Sequence, residues 1–570
     1  MAERITSVKQ IDFEPKHDVF PSPRDWRDVF LYQLLVDRFD DEKDYPAYDP
    51  KTAKRGRDIE QRTMFQGGTL KGIQRRLDYI KKLGCNAIWI SPPFKQVQDD
   101  KGSYHGYGIQ DFLAIDPRFG TTQDLIDLVH EAHHRGMYVI LDIVINHAGN
   151  VFDYVEKEVP YNKDGQYTFK DWHRINHKQG ELGPDDGVWP VELQDPECFK
   201  RKGSVRDLSK ADIDEILNAD FFSLKDIDTT NPKALDAIIQ SYKYWIAVAD
   251  VDGYRIDTVR HVEPHAAAIF CNAIREYATR IGKYNFILFG EIIADDDVLH
   301  KYVGGNIPAP GTDEWYPQLD AVLDYPLYGV LDEVIKGQKA CGDIRNRYEH
   351  FRHYYRNFGE AGKYYVTFID NHDQPHRPYR RFLNNVDDWR VGVLGIGYVL
   401  CNLGIPCIYY GTEQGFDGGG DHDAYVRETM FGGKWGAFDT SGYQFFNPKN
   451  PIYQQIAAIA KVRANTAELR YGRQYFREIS GDGENFGCPV DGHCTMAFSR
   501  ILDTREVLCV FNLDKAARED WVLTGTPPGN QLIDALNGGE ALEILEAPKG
   551  GAMVRVPLQP RQMRILVVKE

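Results

Sequence analysis

The sequence predicts an α/β protein: a (β/α)8 TIM barrel with a small domain inserted after the third strand and a C-terminal antiparallel β-sandwich domain. Three observations predict it. Eight short runs rich in β-branched and aromatic residues alternate with amphipathic helical stretches, and runs apolar on both faces fit parallel strands covered by helices. One crossover, the third, is about 80 residues long, too long for a structureless loop. After residue 470 the pattern changes to short alternating strands with Gly/Asp/Pro turns, which reads as an antiparallel β domain. The expected division is an arm over 1–28, the barrel over 29–147 and 226–469, the inserted domain over 148–225 and the β domain over 470–570. A doubly wound open sheet is the alternative arrangement of the same rhythm.

The predicted barrel strands lie in 29–36 (VFLYQLLV), 86–91 (NAIWIS), 138–146 (YVILDIVIN), 251–256 (VDGYRI), 286–292 (FILFGEI), 321–327 (AVLDYPL), 364–370 (YYVTFID) and 405–411 (IPCIYYG). Between them, Thr121 to Asp124 resembles a capping box, Leu125, Val129 and Ala132 follow at helical spacing, and Gly136 ends that helix. Asn231-Pro232 reads as an N-cap followed by Pro at the first helical position, with Leu235, Ile238, Ile239, Tyr242 and Trp245 on one face. Gly72 to Leu83, closed by Gly84, behaves similarly. The uncharged run from Val391 to Thr412 contains five Gly, Asn402 and Pro406. It splits into a helix and a buried strand and does not read as a membrane span.

With 42% apolar and 12% aromatic residues a large core is available. The 85 acidic against 68 basic side chains, net −17, argue against a nucleic-acid or anionic-membrane partner, which needs a basic face. No protein partner is evident. The opening residues, MAERITSVKQIDFEPKHD, have no apolar core of a signal peptide, so the expected location is cytoplasmic. Nine dispersed Cys fit buried thiols in a reduced compartment, with Cys488 and Cys494 able to pair across a short turn in an oxidising one.

In this barrel the chemistry sits at the C-terminal strand ends. There the third strand reads Asp142 to His147, the fourth carries Arg255 and Asp257, the fifth ends at Glu291, and the seventh ends Asp370-Asn371-His372-Asp373. Three acids, an Arg and two His on separate strands converge on one mouth. Two carboxyls can cleave an acetal with retention when they stand about 5–5.5 Å apart, one attacking the anomeric carbon and one protonating the leaving oxygen. Asp257 and Glu291 lie on adjacent strands, which run about 4.8 Å apart. Two charges at that distance repel by roughly 3 kcal/mol at an effective dielectric of ~20, enough to keep one acid protonated near neutrality. Arg255, two residues before Asp257, shares its strand face. That predicts an ionised Asp257 as nucleophile and Glu291 as acid/base, with Asp373 steadying positive charge in the transition state.

DIVINH (142–147), GYRIDTVRH (253–261), FGEI (289–292) and FIDNHD (368–373), together with GCNAIWISP, YHGYGIQD, LKDIDTTNP and GIPCIYYGTEQ, resemble the motifs of the α-amylase family of retaining glycoside hydrolases and transglycosidases, glycoside hydrolase family 13. The resemblance spans roughly residues 28–465. It implies a nucleophile at Asp257, an acid/base at Glu291 and a transition-state stabiliser at Asp373. It also implies sugar contacts from Tyr107, His105, His147, Arg255 and His372, and an inserted domain forming one wall of the cleft.

The resemblance bears on a cation as well. In calcium-binding members the positions matching Asn146, Asp226 and His261 help hold Ca2+, and oxygen ligands suit that hard ion. Other members keep the pattern without calcium, so both states stay open. Asp40, Asp41 and Asp44 read as a solvated acidic face. Lys225 stands where Pro is commoner and Arg260 where many α-amylases carry Lys. Arg377, Arg380 and Arg381 read as the start of a surface helix, the alternative being that they line the cleft or meet a phosphate or carboxylate on an acceptor. The expected activity is a retaining α-glycosidase on α-1,4-glucan or maltooligosaccharides. A transglucosylase with the same intermediate is the alternative, and a non-catalytic carbohydrate-binding barrel a remote one.

Overall fold

The computed structural model describes residues 4–56, 61–175, 180–303, 318–353, 355–356, 359–375 and 377–569. Eight parallel strands form one sheet: β1 Leu31–Leu34, β2 Ala87–Ile90, β3 Tyr138–Ile143, β4 Gly253–Ile256, β5 Ile287–Gly290, β6 Ala321–Val322, β7 Val366–Thr367 and β8 Ile405–Tyr409. Their order is β6-β5-β4-β3-β2-β1-β8-β7. A parallel bridge from Leu323 to Val366 joins the two ends. The sheet is therefore a barrel and not an open doubly wound sheet.

Strand periodicity of two sorts the side chains. Leu31, Trp89, Ile140, Phe289, Val366 and Cys407 fill the barrel interior. Their neighbours Tyr32, Ile88, Leu141, Tyr254, Leu288 and Ile408 face outward under the helices. Trp26 plugs the N-terminal end, its indole N–H donating to the Asn285 carbonyl at 2.8 Å.

The crossover helices carry the expected signals. Thr121 and Asp124 make a reciprocal capping box on helix Thr122–His134. Asn231 caps helix Pro232–Ala249. The stretch from residue 72 to 83 is two short helices, Leu70–Arg75 and Leu77–Leu83, the second ending at left-handed Gly84. Strand β6 is shorter than the apolar run 321–327 because Asp324 accepts from the Leu327 N–H and starts helix Tyr325–Ile335, with Pro326 in its first turn. The run 391–412 divides into helix Arg390–Cys401 and strand β8. Among the described residues no helix is long and apolar enough to cross a membrane.

The segment between β3 and helix Pro232–Ala249 is tied at its neck by a two-residue antiparallel ladder, His147–Ala148 with Lys225–Asp226. Inside it, Phe152–Tyr154 pairs with Phe169–Trp172. Lys225 is buried, its ammonium 4.4 Å from the centre of the Tyr154 ring and 3.5 Å from Asp220. Asp40 is also buried, against the expectation of a solvated acidic face, because Arg75 and Arg76 reach it at 3.0 and 2.6 Å. The segment holding Arg380 is no helix start: Tyr379–Arg380 pairs with Gly419–Gly420. Arg381 is buried on Glu428 and Arg380 binds Asp332.

The C-terminal domain is one antiparallel nine-stranded sheet. Its strands are β9 Arg473–Phe476, β10 Ile479–Ser480, β11 Thr495–Leu502, β12 Arg505–Asn512, β13 Arg518–Thr524, β14 Gln531–Asp534, β15 Leu542–Glu546, β16 Ala552–Leu558 and β17 Met563–Val568. The sheet folds over itself, bringing Leu508, Val510 and Leu566 against Val522, Ile544 and Val554. Strand β12 is buried on both faces, since Val507, Cys509 and Phe511 join the core shared with the barrel helices.

Candidate active site

Four barrel strands carry polar side chains at interior positions at, or just past, their C-terminal ends. On β3 Asp142 follows Ile140 inward, on β4 Asp257 follows Arg255, on β5 Glu291 follows Phe289, and β1 contributes Gln33. The β4–β5 register pairs Arg255 with Phe289 and Ile256 with Gly290, and the Glu291 N–H donates to the Ile256 carbonyl. Asp257 and Glu291 are therefore cross-strand neighbours on one face, at the inter-strand spacing of about 4.8 Å.

Arg255 is completely buried among these acids. Its Nη1 donates to Asp142 Oδ1 and to Asp257 Oδ1, both at 2.8 Å. Its Nη2 lies 2.7 Å from Glu291 Oε2. Asp142 is held by two further donors, Trp89 Nε1 at 3.1 Å and Tyr107 Oη at 2.9 Å. Tyr325 Oη donates to Glu291 Oε1 at 2.9 Å. His372 Nε2 lies 2.6 Å from Tyr107 Oη and 3.0 Å from Asp373 Oδ2, and its Nδ1 is 2.6 Å from the Gln33 amide nitrogen. Arg427 donates to Asp373 Oδ1 at 2.6 Å and to the His372 carbonyl at 3.1 Å.

Four carboxyls thus meet two guanidiniums, so full ionisation leaves excess negative charge in a buried site. The carboxyls respond unequally. Burial, reinforced by Asp142 and Asp373 against the pull of Arg255, pushes Asp257 up to about 7. Burial also pushes Glu291 up to about 7, with Asp257 and Asp373 adding to it. Burial opposes the charge on Asp373 too, but His372 and Arg427 outweigh it and hold that carboxyl well below the usual range. Asp373 is also the most open of the three, its side chain 33% exposed. The expectation that Arg255 selects Asp257 for ionisation needs correction: the guanidinium touches Asp257 and Glu291 alike, so the pair shares its charge.

Tyr107 lies parallel to the His372 ring at 5.7 Å and stacks at an angle of 25° on His105 at 5.5 Å. The Tyr107 N–H donates to His105 Nδ1 at 3.0 Å. His147 stacks on Phe221 at 5.9 Å, and its Nε2 is buried without a hydrogen-bond partner. Such an orphaned nitrogen calls for a ligand or water partner. Burial lowers His105 to about 4 and His147 to about 3, so both rings are neutral near pH 7. The structure thus brings Tyr107, Arg255, Asp257, Glu291, His372 and Asp373 into direct contact, with His105 and His147 beside them.

Asn146, Asp226 and His261 lie at the neck of the insertion. The Asn146 carbonyl accepts from the Ile227 N–H, and His261 packs edge-on against Phe221 at 5.2 Å. The charge facing Asp226 is the buried Lys200 ammonium, 3.3 Å from Asp226 Oδ2 and 2.6 Å from Glu263 Oε1. It also donates to the Leu217 carbonyl. Asp226 accepts no aligned hydrogen bond, yet a cation already stands against it. A resident Ca2+ there meets a fixed positive charge, so the donor set as built does not fit it.

Sequence reasoning missed Gln33, Trp89, Tyr325, Arg427 and Lys200, and gave Asp142 no role. Gln33 and Trp89 were reachable by extending the period-two count along β1 and β2. Arg427 and Lys200 come from loops, where no periodicity points inward.

Comparison with known proteins gives the family of the chain. The family model described as "Alpha amylase, catalytic domain" matches residues 33–471. An alpha-amylase of Streptomyces lividans is 31% identical over 85% of this chain and 55% of its own length. The chain spans about half the length, or less, of the first curated relatives it matches. Among solved structures, an alpha-amylase of Geobacillus thermoleovorans complexed with acarbose is 25% identical, with a TM-score of 0.69 over 96% of this chain and 100% of that one. CldA, a cyclomaltodextrin glucanotransferase, is also 25% identical, with a TM-score of 0.69 over 95% and 99%. Barrel, motif order and family match coincide over the same residues, and the chain belongs to the alpha-amylase family.

Proposed function

We propose that this protein is a retaining α-glycosidase acting on α-1,4-linked glucans or maltooligosaccharides. The observation that carries the reading is the pair Asp257 and Glu291, cross-strand neighbours bridged by one buried guanidinium at the barrel mouth. Neighbouring strands run about 4.8 Å apart, which suits the retaining route. Glu291 protonates the glycosidic oxygen while Asp257 Oδ attacks the anomeric carbon, and the leaving sugar departs with that proton. Glu291, now a carboxylate, takes a proton from water, whose oxygen displaces Asp257 and restores the starting state. Asp373, held anionic by His372 and Arg427, faces the positive charge that develops on the ring. Tyr107 offers a flat face to the sugar, and the unpaired His147 nitrogen offers a hydrogen bond.

The test is the anomeric configuration of the first product. NMR of maltotriose hydrolysis should show the α-anomer forming first, and initial release of the β-anomer overturns the reading. The similarity to a glucanotransferase keeps one second reading, transfer of the same glycosyl group to a sugar hydroxyl. Longer or mixed glucosides dominating over glucose and maltose, with maltotriose and a second acceptor present, would favour it.

A further inference from the structure

The barrel and the C-terminal domain meet closely where the loop before β11 lies on the turn before helix Gly342–Phe351. A Cβ on Gly492 would stand 2.4 Å from the Gly337 carbonyl oxygen, and one on Gly337 would stand 2.9 Å from His493. This close approach brings Cys341, at the helix N-cap, to Cys494, 153 residues later in the chain. Their sulfurs are 2.6 Å apart. Both thiols are buried, with 2% and 5% exposure. A third thiol, Cys488, is half-buried, and its sulfur lies 3.3 Å from where a Cβ on Gly342 would stand. The sequence suggested Cys488 and Cys494 as a pair, but the sulfur against Cys494 is that of Cys341.

We propose that Cys341 and Cys494 form a reversible disulfide that locks the barrel to the C-terminal domain, with Cys488 as the relay through which a small disulfide oxidant reaches them. With oxidised glutathione, the Cys488 thiolate attacks the disulfide and releases one glutathione thiolate. Cys341, next to the Gly342 that the Cys488 sulfur adjoins, then attacks that sulfur and expels the second glutathione, giving Cys341–Cys488. Cys494 attacks the Cys341 sulfur and frees Cys488. The protons lost by Cys341 and Cys494 end on the two glutathiones, so two protein thiols are oxidised and one glutathione disulfide is reduced. A sulfur–sulfur bond is about 2.05 Å long, so closure needs only a small inward movement.

The position has a consequence for the mouth. Helix Gly342–Phe351 carries Arg347, which binds Asp296 and Asp324 at 2.7 and 2.6 Å. Asp324 caps the helix that begins with Tyr325, the donor to Glu291. A bond at Cys341 therefore anchors the element behind the proposed acid. Cys401 and Cys509 also adjoin across the domain boundary, where burial and the Cys401 contact raise the Cys509 thiol. Both are fully buried and neither has a half-exposed thiol beside it, so this pair is an internal control that stays reduced.

The experiment treats the native full-length chain with oxidised glutathione, alkylates it under denaturing conditions and maps the peptides by mass spectrometry. Two of the nine thiols should become protected, in a linked peptide pair containing Cys341 and Cys494, and dithiothreitol should restore nine. The oxidised protein should melt several degrees above the reduced one. Cys488→Ser should reach the same link at least tenfold more slowly. Nine alkylated thiols after oxidation, or a stable link that retains Cys488, overturns the proposal, and an unchanged rate in Cys488→Ser overturns the relay. The thiol count on the unmutated chain decides the matter even where Cys341→Ser or Cys494→Ser fails to fold.

Discussion

Arg255 ties three carboxyls of the mouth together, because one guanidinium serves Asp142, Asp257 and Glu291. The proton the pair retains sits in a site whose carboxyls are pushed up to about 7. A bell-shaped kcat/KM should follow, with its alkaline limb near pH 7, where the pair loses that proton. Glu291→Gln should lower kcat by about 10²–10⁴, and Asp257→Asn should abolish most turnover. A near-normal kcat in either variant removes the assigned role. The same shift has a stability sign. A carboxyl raised from about 3.9 unfolded to about 7 folded binds its proton more tightly when folded, so it costs stability as pH rises across that window. Asp257→Asn should therefore gain stability relative to the unmutated protein between pH 5 and pH 8, on the order of 1–3 kcal/mol at the upper end. Urea unfolding at the two pH values checks it. Asp257 and Glu291 were legible because strand-end positions follow a count of two. Their charge state was not, because it depends on Arg255 reaching across to β5 and on Arg427 arriving from a loop.

At the scale of elements, the neck of the insertion depends on a charge that no motif announces. The ladder of His147–Ala148 with Lys225–Asp226 places Asp226 beneath the insertion, and Lys200 returns from within it to meet Asp226 and Glu263. Burial raises Asp226 well above the usual carboxylate range, with Lys200 opposing that shift. Removing the ammonium leaves two acids facing each other in a buried place. Lys200→Met should destabilise the protein by about 3–5 kcal/mol, the cost of breaking a buried pair on one side. EDTA should leave the melting temperature of the unmutated protein unchanged. A fall on chelation, reversed by Ca2+, would show that a metal and not Lys200 carries this site. The insertion was visible as an overlong crossover, and its ends were close to those of the ladder. Its interior was opaque because short irregular strands such as Phe152–Tyr154 lack a repeating pattern, and contacts such as Lys225 on Tyr154 join residues about 70 apart in the chain.

Taken whole, the molecule is held by a core that crosses its domain boundary. Helix Arg390–Cys401 is buried at nearly every position, which the uncharged run already suggested. Helices Tyr325–Ile335 and Pro451–Asn465 and strand β8 bury most of it, and the C-terminal sheet closes on its last turn, a docking that had no signature in the alternating strands. Tyr398 packs against Phe498 of β11 and Phe511 of β12, with ring centres at 5.4 and 6.1 Å. The helix C-terminal carbonyls are closed by two buried arginines, Arg463 on Leu400 and Arg500 on Cys401, at 2.8 and 2.6 Å. Cations there complement the negative end of the helix. Burial opposes both charges, lowering Arg463 to about 9 and Arg500 to about 10. A barrel and a sheet that share this much apolar contact should unfold together. Thermal denaturation should give one transition, with loss of the proposed glycosidase activity and loss of circular dichroism superimposing. Phe498→Ala, far from the mouth, should lower stability by about 3–5 kcal/mol through the cavity it leaves and shift both curves equally, with kcat at low temperature unchanged. If the variant instead splits the transition, so that activity survives the first step, the C-terminal sheet is an independent unit and the shared core does not couple the two.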